Sequence, residues 1–262
     1  MKTLLFIPMY NCEKQIVRVL AQLDTEIMQY LTEVVVVNNR STDNGENAAI
    51  QFCTSHPELP ISILRNDDNY GLGGSHKVAF QYAIDNQFDY VIVLHGDDQG
   101  NIRDLLPVLQ DGRYQKYDCC LGARFMKGSK LQGYSKFRTF GNFVYDGLYS
   151  VGCGFAVKDL GSGLNMYKVS ALQSKYYEKY PDNLIFNCCM LMAVRFYKQS
   201  KCFFPISWRE DDQISNVKMF SQAKKTLWIL AQFMANPAGF MAKEMRERPV
   251  EAYTAQIIHT NK

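Results

Sequence analysis

Short apolar runs alternate with segments of helical periodicity through the first half of the chain. The run at residues 4–7 is followed by Ile16, Val19, Leu20, Leu23 and Ile27, which recur every three or four positions as on one face of a helix. This alternation predicts parallel strands joined by right-handed crossovers, an α/β sheet of the nucleotide-binding type. The predicted strands are residues 4–7, 33–38, 61–64, 90–94 and 118–122, and two further helices are predicted at residues 42–53 and 75–85.

The second half of the chain has a less regular pattern. Two glycine-rich turns, at residues 126–133 and 160–165, interrupt segments that we predict to be helical. The pattern favours a domain over residues 1–216, made of halves 1–124 and 125–216, and a C-terminal helical appendage over residues 217–262. The predicted helices are residues 137–151, 169–180, 184–197 and most of 217–247, and a late strand is predicted at residues 203–208.

Composition narrows the class of protein. The 262 residues are 47% hydrophobic, enough for one substantial core. A net charge of +3 without a basic stripe argues against nucleic-acid binding. The eight cysteines lack CxxC spacing, which favours reduced thiols in a cytoplasmic protein. No uninterrupted apolar run reaches the length of a bilayer-spanning helix, so we expect any membrane contact to be peripheral, on the inner face.

Polar side chains follow the predicted strand at residues 90–94 directly. His95, Asp97, Asp98 and Gln99 stand where an open α/β sheet binds its ligands, and carboxylate and amide oxygens suit a hard divalent cation that carries phosphates. Taken alone, an aspartate pair after a strand also fits a helix cap.

Two other segments carry candidate chemistry. Glycines at residues 71–74, ahead of a helix, would bring backbone N–H groups close to an anion, with Lys77 nearby. The amides and carboxylate of Asn38, Asn39 and Asp43 could read a base edge and ribose hydroxyls. Each segment by itself also fits an ordinary turn.

The order and spacing of these segments resemble family 2 glycosyltransferases of the GT-A fold, in particular the bacterial branch similar to dolichyl-phosphate mannose synthase. The resemblance extends to about residue 215. Three departures are Asn38 and His95, where the family commonly has acids, and Asn165, where it commonly has arginine. The matching motifs are Pro8-Met-Tyr-Asn11, residues 37–43, 69–74 and 95–99, Gly122-Ala-Arg124, Lys136 with Arg138, residues 159–167 and Pro205-Ile-Ser-Trp-Arg209.

The resemblance implies a Rossmann-like, mostly parallel sheet and an inverting transfer of sugar from a nucleotide diphosphate. Asp97 and Gln99 would hold Mg²⁺ or Mn²⁺, and Asp97, Asp159, Arg124 and Arg209 would form the catalytic group. Lys136, Arg138 and Ser162 would bind the phosphate or acceptor. The implied nucleotide-sugar residues are Pro8, Tyr10, Asn11, Asn38, Asn39, Asp43, Asn69, Gly71, Gly73, Gly74, Lys77, His95 and Asp98.

The acceptor stays open between a polyprenyl phosphate and a glycan or lipid-linked sugar. A phosphate acceptor is already ionised, whereas a hydroxyl acceptor would need a carboxylate base such as Asp159 or Asp211. Two other classes also stay open: an inactive sugar-nucleotide-binding or scaffolding protein of the same fold, and a nucleotidyltransferase. The latter should have a glycine-rich basic loop after its first strand, unlike residues 8–11.

The C-terminal stretch mixes aromatic and basic residues. An amphipathic helix of this kind can lie in a membrane interface, or it can pack on its own domain or on another copy in a homo-oligomer. The residues concerned are Phe220, Leu227, Trp228, Leu230, Phe233 and Phe240 with Lys218, Lys224, Lys225 and Lys243.

Overall fold

A computed structural model describes residues 1–210 and 219–261, and the side chains from residue 223 onward in the second range. Asp211, Lys218 and the side chain of Phe220 lie outside the described residues. The described strands are β1 (Thr3–Met9), β2 (Glu33–Asn38), β3 (Ile61–Asn66), β4 (Tyr90–Leu94), β5 (Cys119–Ala123), β6 (Lys130–Gln132), β7 (Leu164–Lys168), β8 (Lys201–Pro205), β9 (Ser207–Arg209) and β10 (Ala255–Thr260).

Helices connect most of these strands. None of the helices in the described ranges is long and apolar enough to cross a membrane. The helices are α1 (Glu13–Leu20), α2 (Thr25–Met28), α3 (Gly45–Ser55), α4 (Gly71–Asp85), α5 (Leu106–Gln110), α6 (Lys136–Cys153), α7 (Ile185–Phe196), α8 (Met219–Ala235) and α9 (Pro237–Ala242).

Eight strands form one central sheet in the order β10-β3-β2-β1-β4-β7-β5-β8. The sheet is mostly parallel: β7 runs antiparallel to β4 and β5, and β10 runs antiparallel to β3. Strands β6 and β9 form a separate two-stranded sheet. The α/β class with a mostly parallel sheet, predicted from the sequence, is therefore confirmed.

The core lies on both faces of the sheet. In β1, Leu4 and Phe6 point into one apolar cluster, whereas Leu5, Ile7 and Met9 point into the other. This two-sided burial explains why the central strands are continuous apolar runs. Helices α1 and α3 cover one face, and α4, α6 and α7 cover the other.

The structure departs from the predicted elements at several points. The turn predicted at residues 160–165 leads into β7, and residues 169–180 form only a short 3₁₀ turn at Val169–Ala171 instead of a helix. The strand predicted at residues 203–208 is split at Ile206 between β8 and β9, which belong to different sheets. The C-terminal region, predicted to be helical, also contains β10.

The long C-terminal helix predicted over residues 217–247 ends at Ala235. Asn236 accepts a hydrogen bond from the Gly239 N–H at 2.9 Å and so caps α9, which begins at Pro237. Leu230, Phe233 and Phe240 are buried in the main core. Of the two readings of this segment, the structure therefore supports packing for these three residues, while Leu227 and Trp228 remain exposed.

Candidate functional site

The tips of three neighbouring strands are hydrogen-bonded to one another. The Gly96 N–H donates to the Pro8 carbonyl at 3.1 Å, and the Asn39 N–H donates to the Met9 carbonyl at 2.9 Å. A Cβ at position 96 would lie 2.7 Å from the Pro8 oxygen, so glycine permits this close approach. The loops after β1, β2 and β4 consequently adjoin at one edge of the sheet.

Asn39 connects this edge to the glycine-rich segment. Its buried side chain donates to Asn69 Oδ1 at 2.7 Å and accepts from the Tyr70 N–H at 2.9 Å. A third bond, from Asn66 Nδ2, uses the same Asn39 oxygen. The structure therefore brings together the asparagine loop, the glycine segment and the end of β4.

The other polar residues of the nucleoside loop hold the loop itself. Asn38 donates to Glu46 Oε2 at 2.6 Å. An acid at position 38, as is common in the family, would face the Glu46 carboxylate here, and this repulsion explains why an asparagine fits the position. Asp43 accepts from the N–H groups of Glu13 and Gly45, at 2.9 and 3.0 Å. Asn11 Oδ1 accepts from the Thr42 N–H at 2.8 Å, and Tyr10 is half exposed beside it.

The glycines at residues 71–74 approach the chain itself. A Cβ at Gly73 would lie 2.4 Å from the Pro181 oxygen, and one at Gly71 would lie 2.4 Å from the Asp182 oxygen. The Gly73 N–H already donates to that Asp182 carbonyl at 2.8 Å. Close backbone packing therefore accounts for these two glycines without an anion.

Lys77 lies in the same contact. Its buried ammonium donates to the Tyr180 carbonyl at 2.6 Å, to Asp182 Oδ1 at 2.7 Å and to the Tyr253 hydroxyl at 3.1 Å. An ammonium has three donors, so all three are used. The predicted position of Lys77 beside the donor sugar is corrected: in this structure the side chain joins α4 to the C-terminal region.

The two aspartates that follow β4, Asp97 and Asp98, have different surroundings. Asp97 is half-buried, and burial raises the pKa of its carboxyl to about 6, although the Gln99 N–H and the Arg124 charge act in the opposite direction. Asp98 is instead enclosed, accepting from Arg18, Gln22 and Arg209. Its predicted contact with the nucleotide is therefore not available in this arrangement, because both carboxylate oxygens are already engaged.

Asp97 and Gln99 are the residues at this edge that could hold a divalent ion. Among the described residues, no group of three or more His, Cys, Asp or Glu side chains could hold a metal by itself. One carboxylate and one amide oxygen still fit a hard cation whose other positions are taken by phosphate oxygens and water. The side-chain amide nitrogen of Gln99 donates a hydrogen bond to the Arg209 carbonyl at 3.3 Å.

His95 stands where the family commonly has an acid. Burial, aided by the Arg124 charge, lowers its pKa to about 4, so the imidazole is neutral near pH 7. Its Nε2 is buried without a hydrogen-bond partner within the described part of the chain. A Cβ at Gly163 would lie 3.0 Å from the imidazole Cγ, which shows how closely the ring packs on β7.

The two arginines predicted for the catalytic group, Arg124 and Arg209, and the predicted phosphate-binding Arg138 are each paired with an acid. Arg124 donates Nε and Nη2 to Asp159, both at 2.7 Å, Arg138 is paired with Glu210, and Arg209 is paired with Asp98. The largely buried guanidinium of Arg124 needs such a counter-charge, whereas Arg138 and Arg209 are partly exposed.

Asp159 and Ser162 are occupied by the chain as well. Asp159 also accepts from the Gly161 N–H at 3.0 Å, so its carboxylate anchors Arg124 and is not poised as a base. The Ser162 hydroxyl is buried and donates to the Leu164 carbonyl at 3.0 Å. Lys136 is exposed at the start of α6.

The sequence prediction missed Asp146, which is buried on α6. Its Oδ2 has no hydrogen-bond partner in the described residues, and burial, followed by the charge of Asp159, raises its pKa to about 8. Tyr149 and Cys153 are buried on the same helix. The helical spacing of these three positions is the signal that could have identified Asp146 as inward-facing.

Comparison with known proteins identifies the family. The family model for glycosyl transferase family 2 matches residues 5–195, and the chain belongs to that family. An uncharacterized protein of Methanocaldococcus jannaschii is 26% identical over 165 residues, which cover 63% of this chain and 64% of that one. A dolichol-phosphate mannosyltransferase of Pyrococcus furiosus is 24% identical over 138 residues, 53% of this chain and 37% of that one. The match thus spans less than two thirds of each relative.

Solved structures share the fold at low identity. Glucosyl-3-phosphoglycerate synthase from Mycobacterium tuberculosis in complex with UDP has a TM-score of 0.62 and 12% identity, over 89% of this chain and 80% of that one. A mannosyltransferase from Pyrobaculum calidifontis in complex with GDP-Man and Mn²⁺ has a TM-score of 0.59 and 15% identity, over 90% and 64%. The GT-A fold implied by the sequence motifs is confirmed.

Proposed function

We propose that this protein transfers a sugar, with inversion, from a nucleoside diphosphate sugar bound at the joined tips of β1, β2 and β4. One observation carries the proposal: in a chain of glycosyl transferase family 2, these tips adjoin the glycine segment, and the half-buried Asp97 lies at the same edge. Inversion follows from direct attack of the acceptor on the anomeric carbon, because a single displacement reverses configuration.

Asp97 and Gln99 would hold Mg²⁺ or Mn²⁺ at this edge. When bound, the cation would neutralise charge on the departing diphosphate. The complex of the Pyrobaculum calidifontis mannosyltransferase with GDP-Man and Mn²⁺ supports this role by analogy of fold. The raised pKa of Asp97 fits a carboxylate that gains a cation, because a nearby positive charge favours its ionised form.

The remaining polar residues would orient the donor and stabilise charge. Asn39 and Tyr10 would border the nucleoside, and Arg124 and Arg209 would donate their unused N–H groups to the diphosphate. Lys136, exposed at the start of α6, would attract a phosphate on the acceptor side. These roles follow from the family motifs and from where each side chain lies.

We infer that the acceptor is an anion, a polyprenyl phosphate in preference to a sugar hydroxyl. Both oxygens of the Asp159 carboxylate already accept hydrogen bonds, from Arg124 and from the Gly161 N–H, so neither is free to take the proton of a hydroxyl acceptor. A phosphate acceptor needs no base, because it is ionised before it attacks. Asp211, the other candidate base, lies outside the described residues.

Donor-dependent stabilisation tests the proposal. The melting temperature would be measured with UDP-, GDP- and deoxythymidine-linked sugars, each with and without Mn²⁺. A donor at about 100 times its Kd should add about 2.7 kcal/mol to the free energy of unfolding. In Asp97→Asn, the Mn²⁺-dependent part of this gain should disappear.

Asp85→Asn is the matched control, because Asp85 is exposed at the far end of α4. It should respond to donor and Mn²⁺ as the wild type does. An Asp97→Asn variant that keeps the full Mn²⁺-dependent gain would contradict the metal role. Donor binding without transfer to any polyprenyl phosphate or glycan would instead favour an inactive sugar-nucleotide-binding protein.

A further inference from the structure

Two cysteines lie opposite each other on the last two strands of the central sheet. Strand β8 forms one edge of that sheet and runs parallel to β5, and Cys202 is the register partner of Cys120. Both side chains are on the face that α1 and α3 cover, since Cys120 belongs to the apolar cluster there and Cys202 packs against it. Cys119, one position earlier on β5, points into the opposite cluster. The Cys120 and Cys202 side chains are therefore neighbours across the strand pair.

The spacing of the two strands suits a disulfide between these residues. Neighbouring strands lie about 4.7–4.9 Å apart, within the separation of roughly 4.4–6.8 Å between Cα atoms that a disulfide bridges. Both cysteines are free thiols, and the two side chains are hydrogen-bonded to each other. The sulfur atoms are thus in contact before any bond between them forms.

Cys202 is the accessible member of the pair. Seven of the eight cysteines are buried, whereas Cys202, on the edge strand, is half-buried. The hydrogen bond with Cys120 lowers the pKa of the Cys202 thiol, and the Arg113 charge acts in the same direction, although burial and the Asp111 charge oppose them. The same hydrogen bond, followed by burial, raises the pKa of Cys120. Because the thiolate is the reactive form, an oxidant in solution should react first with Cys202.

The other six thiols lack this combination of access and reactivity. Each of them is buried, and burial raises its pKa, so its thiolate is scarce at neutral pH. An accessible thiol beside a buried one is instead the arrangement in which the first oxidation product condenses to a disulfide. The six residues are Cys12, Cys53, Cys119, Cys153, Cys188 and Cys189.

We propose that Cys202 and Cys120 form a modification site, which closes to a reversible disulfide when the protein meets a peroxide. The Cys202 thiolate attacks one peroxide oxygen and breaks the O–O bond, which gives a sulfenic acid and hydroxide. The Cys120 sulfur then displaces the sulfenic oxygen, which leaves as water with the thiol proton, and the S–S bond forms. Two thiols are oxidised, and one peroxide is reduced to water. The bond ties edge strand β8 to β5 just before these strands lead to Arg209 and Arg124, and it does not rest on the proposed function.

Peptide mapping of the full chain tests the proposal. The reduced protein would be incubated with hydrogen peroxide at neutral pH, alkylated in denaturant to block the remaining thiols, and digested without reductant for mass spectrometry. The wild type should lose two of its eight thiols and give one crosslinked pair of peptides, which dithiothreitol separates. Cys202→Ser should lose thiols at least about tenfold more slowly, because the remaining Cys120 is buried and its pKa is raised.

Cys119→Ala is the matched control, because Cys119 is adjacent to Cys120 on β5 but faces the opposite cluster. It should form the crosslink as the wild type does, and Cys120→Ala should not. A crosslink that persists in Cys120→Ala and disappears in Cys119→Ala would overturn the pairing. The wild-type protein alone also decides the question, whether or not a variant folds: a chain that forms no crosslink, or in which Cys202 is oxidised only to a sulfinic acid, would contradict the proposal.

Discussion

Asp146 is a buried acid whose ionisation depends on charged residues in its surroundings. Its side chain is on the buried side of α6, and the charges that act on its carboxyl are those of Asp159, Arg124 and Lys158. Arg124 already donates two hydrogen bonds to Asp159. Its positive charge is therefore largely balanced by that acid and does little to stabilise an ionised Asp146. Because burial favours the neutral form, Asp146 should be protonated in the folded protein at neutral pH.

Asp146→Asn should flatten the dependence of stability on pH. The folded pKa of about 8 lies above the usual value of 3.8, so the wild-type free energy of unfolding should fall as pH rises from about 4 to 8. An amide cannot ionise, so between pH 5 and pH 8 the variant should lose about 4 kcal/mol less than the wild type, three pH units at about 1.4 kcal/mol each. Urea unfolding at pH 5 and pH 8.5 measures the difference.

The exposed-acid variant Asp85→Asn serves as control and should keep the wild-type pH dependence. A wild-type and an Asp146→Asn protein with parallel pH profiles would show that Asp146 finds a partner in solution. The experiment does not depend on knowing the donor or the acceptor.

Candidate site residues could be predicted from the sequence more readily than the partners to which those residues are hydrogen-bonded. The motifs placed Asn39 and the residues after β4 at strand ends, and chain order brings these strand ends to one sheet edge. Lys77 was expected beside the donor, yet its partners Tyr180, Asp182 and Tyr253 come from distant parts of the chain. The acids that pair with Arg124 and Arg209 are also distant in sequence, and local spacing carries no signal for such pairs.

The glycine segment illustrates the same limit at the level of an element. The sequence predicted a helix from residue 75, whereas α4 begins at Gly71 and packs its first turn on residues 181 and 182. The glycines are thus explained by contact between a helix and a neighbouring chain segment. Gly141 of α6 is a glycine of a different kind, because a Cβ there would meet nothing within 4 Å.

Alanine substitution at these two helical glycines should have opposite effects. Gly73→Ala should lower the free energy of unfolding by at least about 2 kcal/mol, because the new methyl group would overlap the Pro181 carbonyl, which is backbone. Gly141→Ala should raise it by about 0.5–1 kcal/mol through helix propensity alone. Denaturant unfolding of both variants provides the comparison.

Gly141→Ala is itself the control for Gly73→Ala, since both changes are the same and both sites are helical. A stable Gly73→Ala protein that fails only to bind donor would restore the predicted phosphate role of the segment. Loss of stability with or without donor would assign the glycine to packing.

The C-terminal region, predicted from the sequence to be an appendage, is bonded to the first half of the molecule. Strand β10 pairs with β3, and Asn261 donates to the carbonyls of Cys53, His56 and Leu59 at 3.0, 3.0 and 3.1 Å. The five strands of the first half were confirmed because each carries a local apolar pattern. β10 escaped prediction, because a short half-exposed edge strand leaves little such pattern and its partner lies far back in the sequence.

A chain that ends at residue 216, the boundary predicted from the sequence, should fail to fold cooperatively. It would lose Leu230, Phe233, Phe240 and Met241, each at most 5% exposed in the main core. Removing a buried residue of this size costs about 2–5 kcal/mol, and four such losses together approach or exceed a domain's total stability of about 5–15 kcal/mol.

A chain ending at residue 253 keeps α8, α9 and the Tyr253 bond to Lys77, and it should fold with a lower melting temperature. It should also associate through the uncovered edge of β3, because an unpaired edge strand invites pairing with another chain. Circular dichroism on heating and gel filtration would distinguish the two truncations. If the chain of residues 1–216 melted like the full chain, the C-terminal region would be an appendage after all.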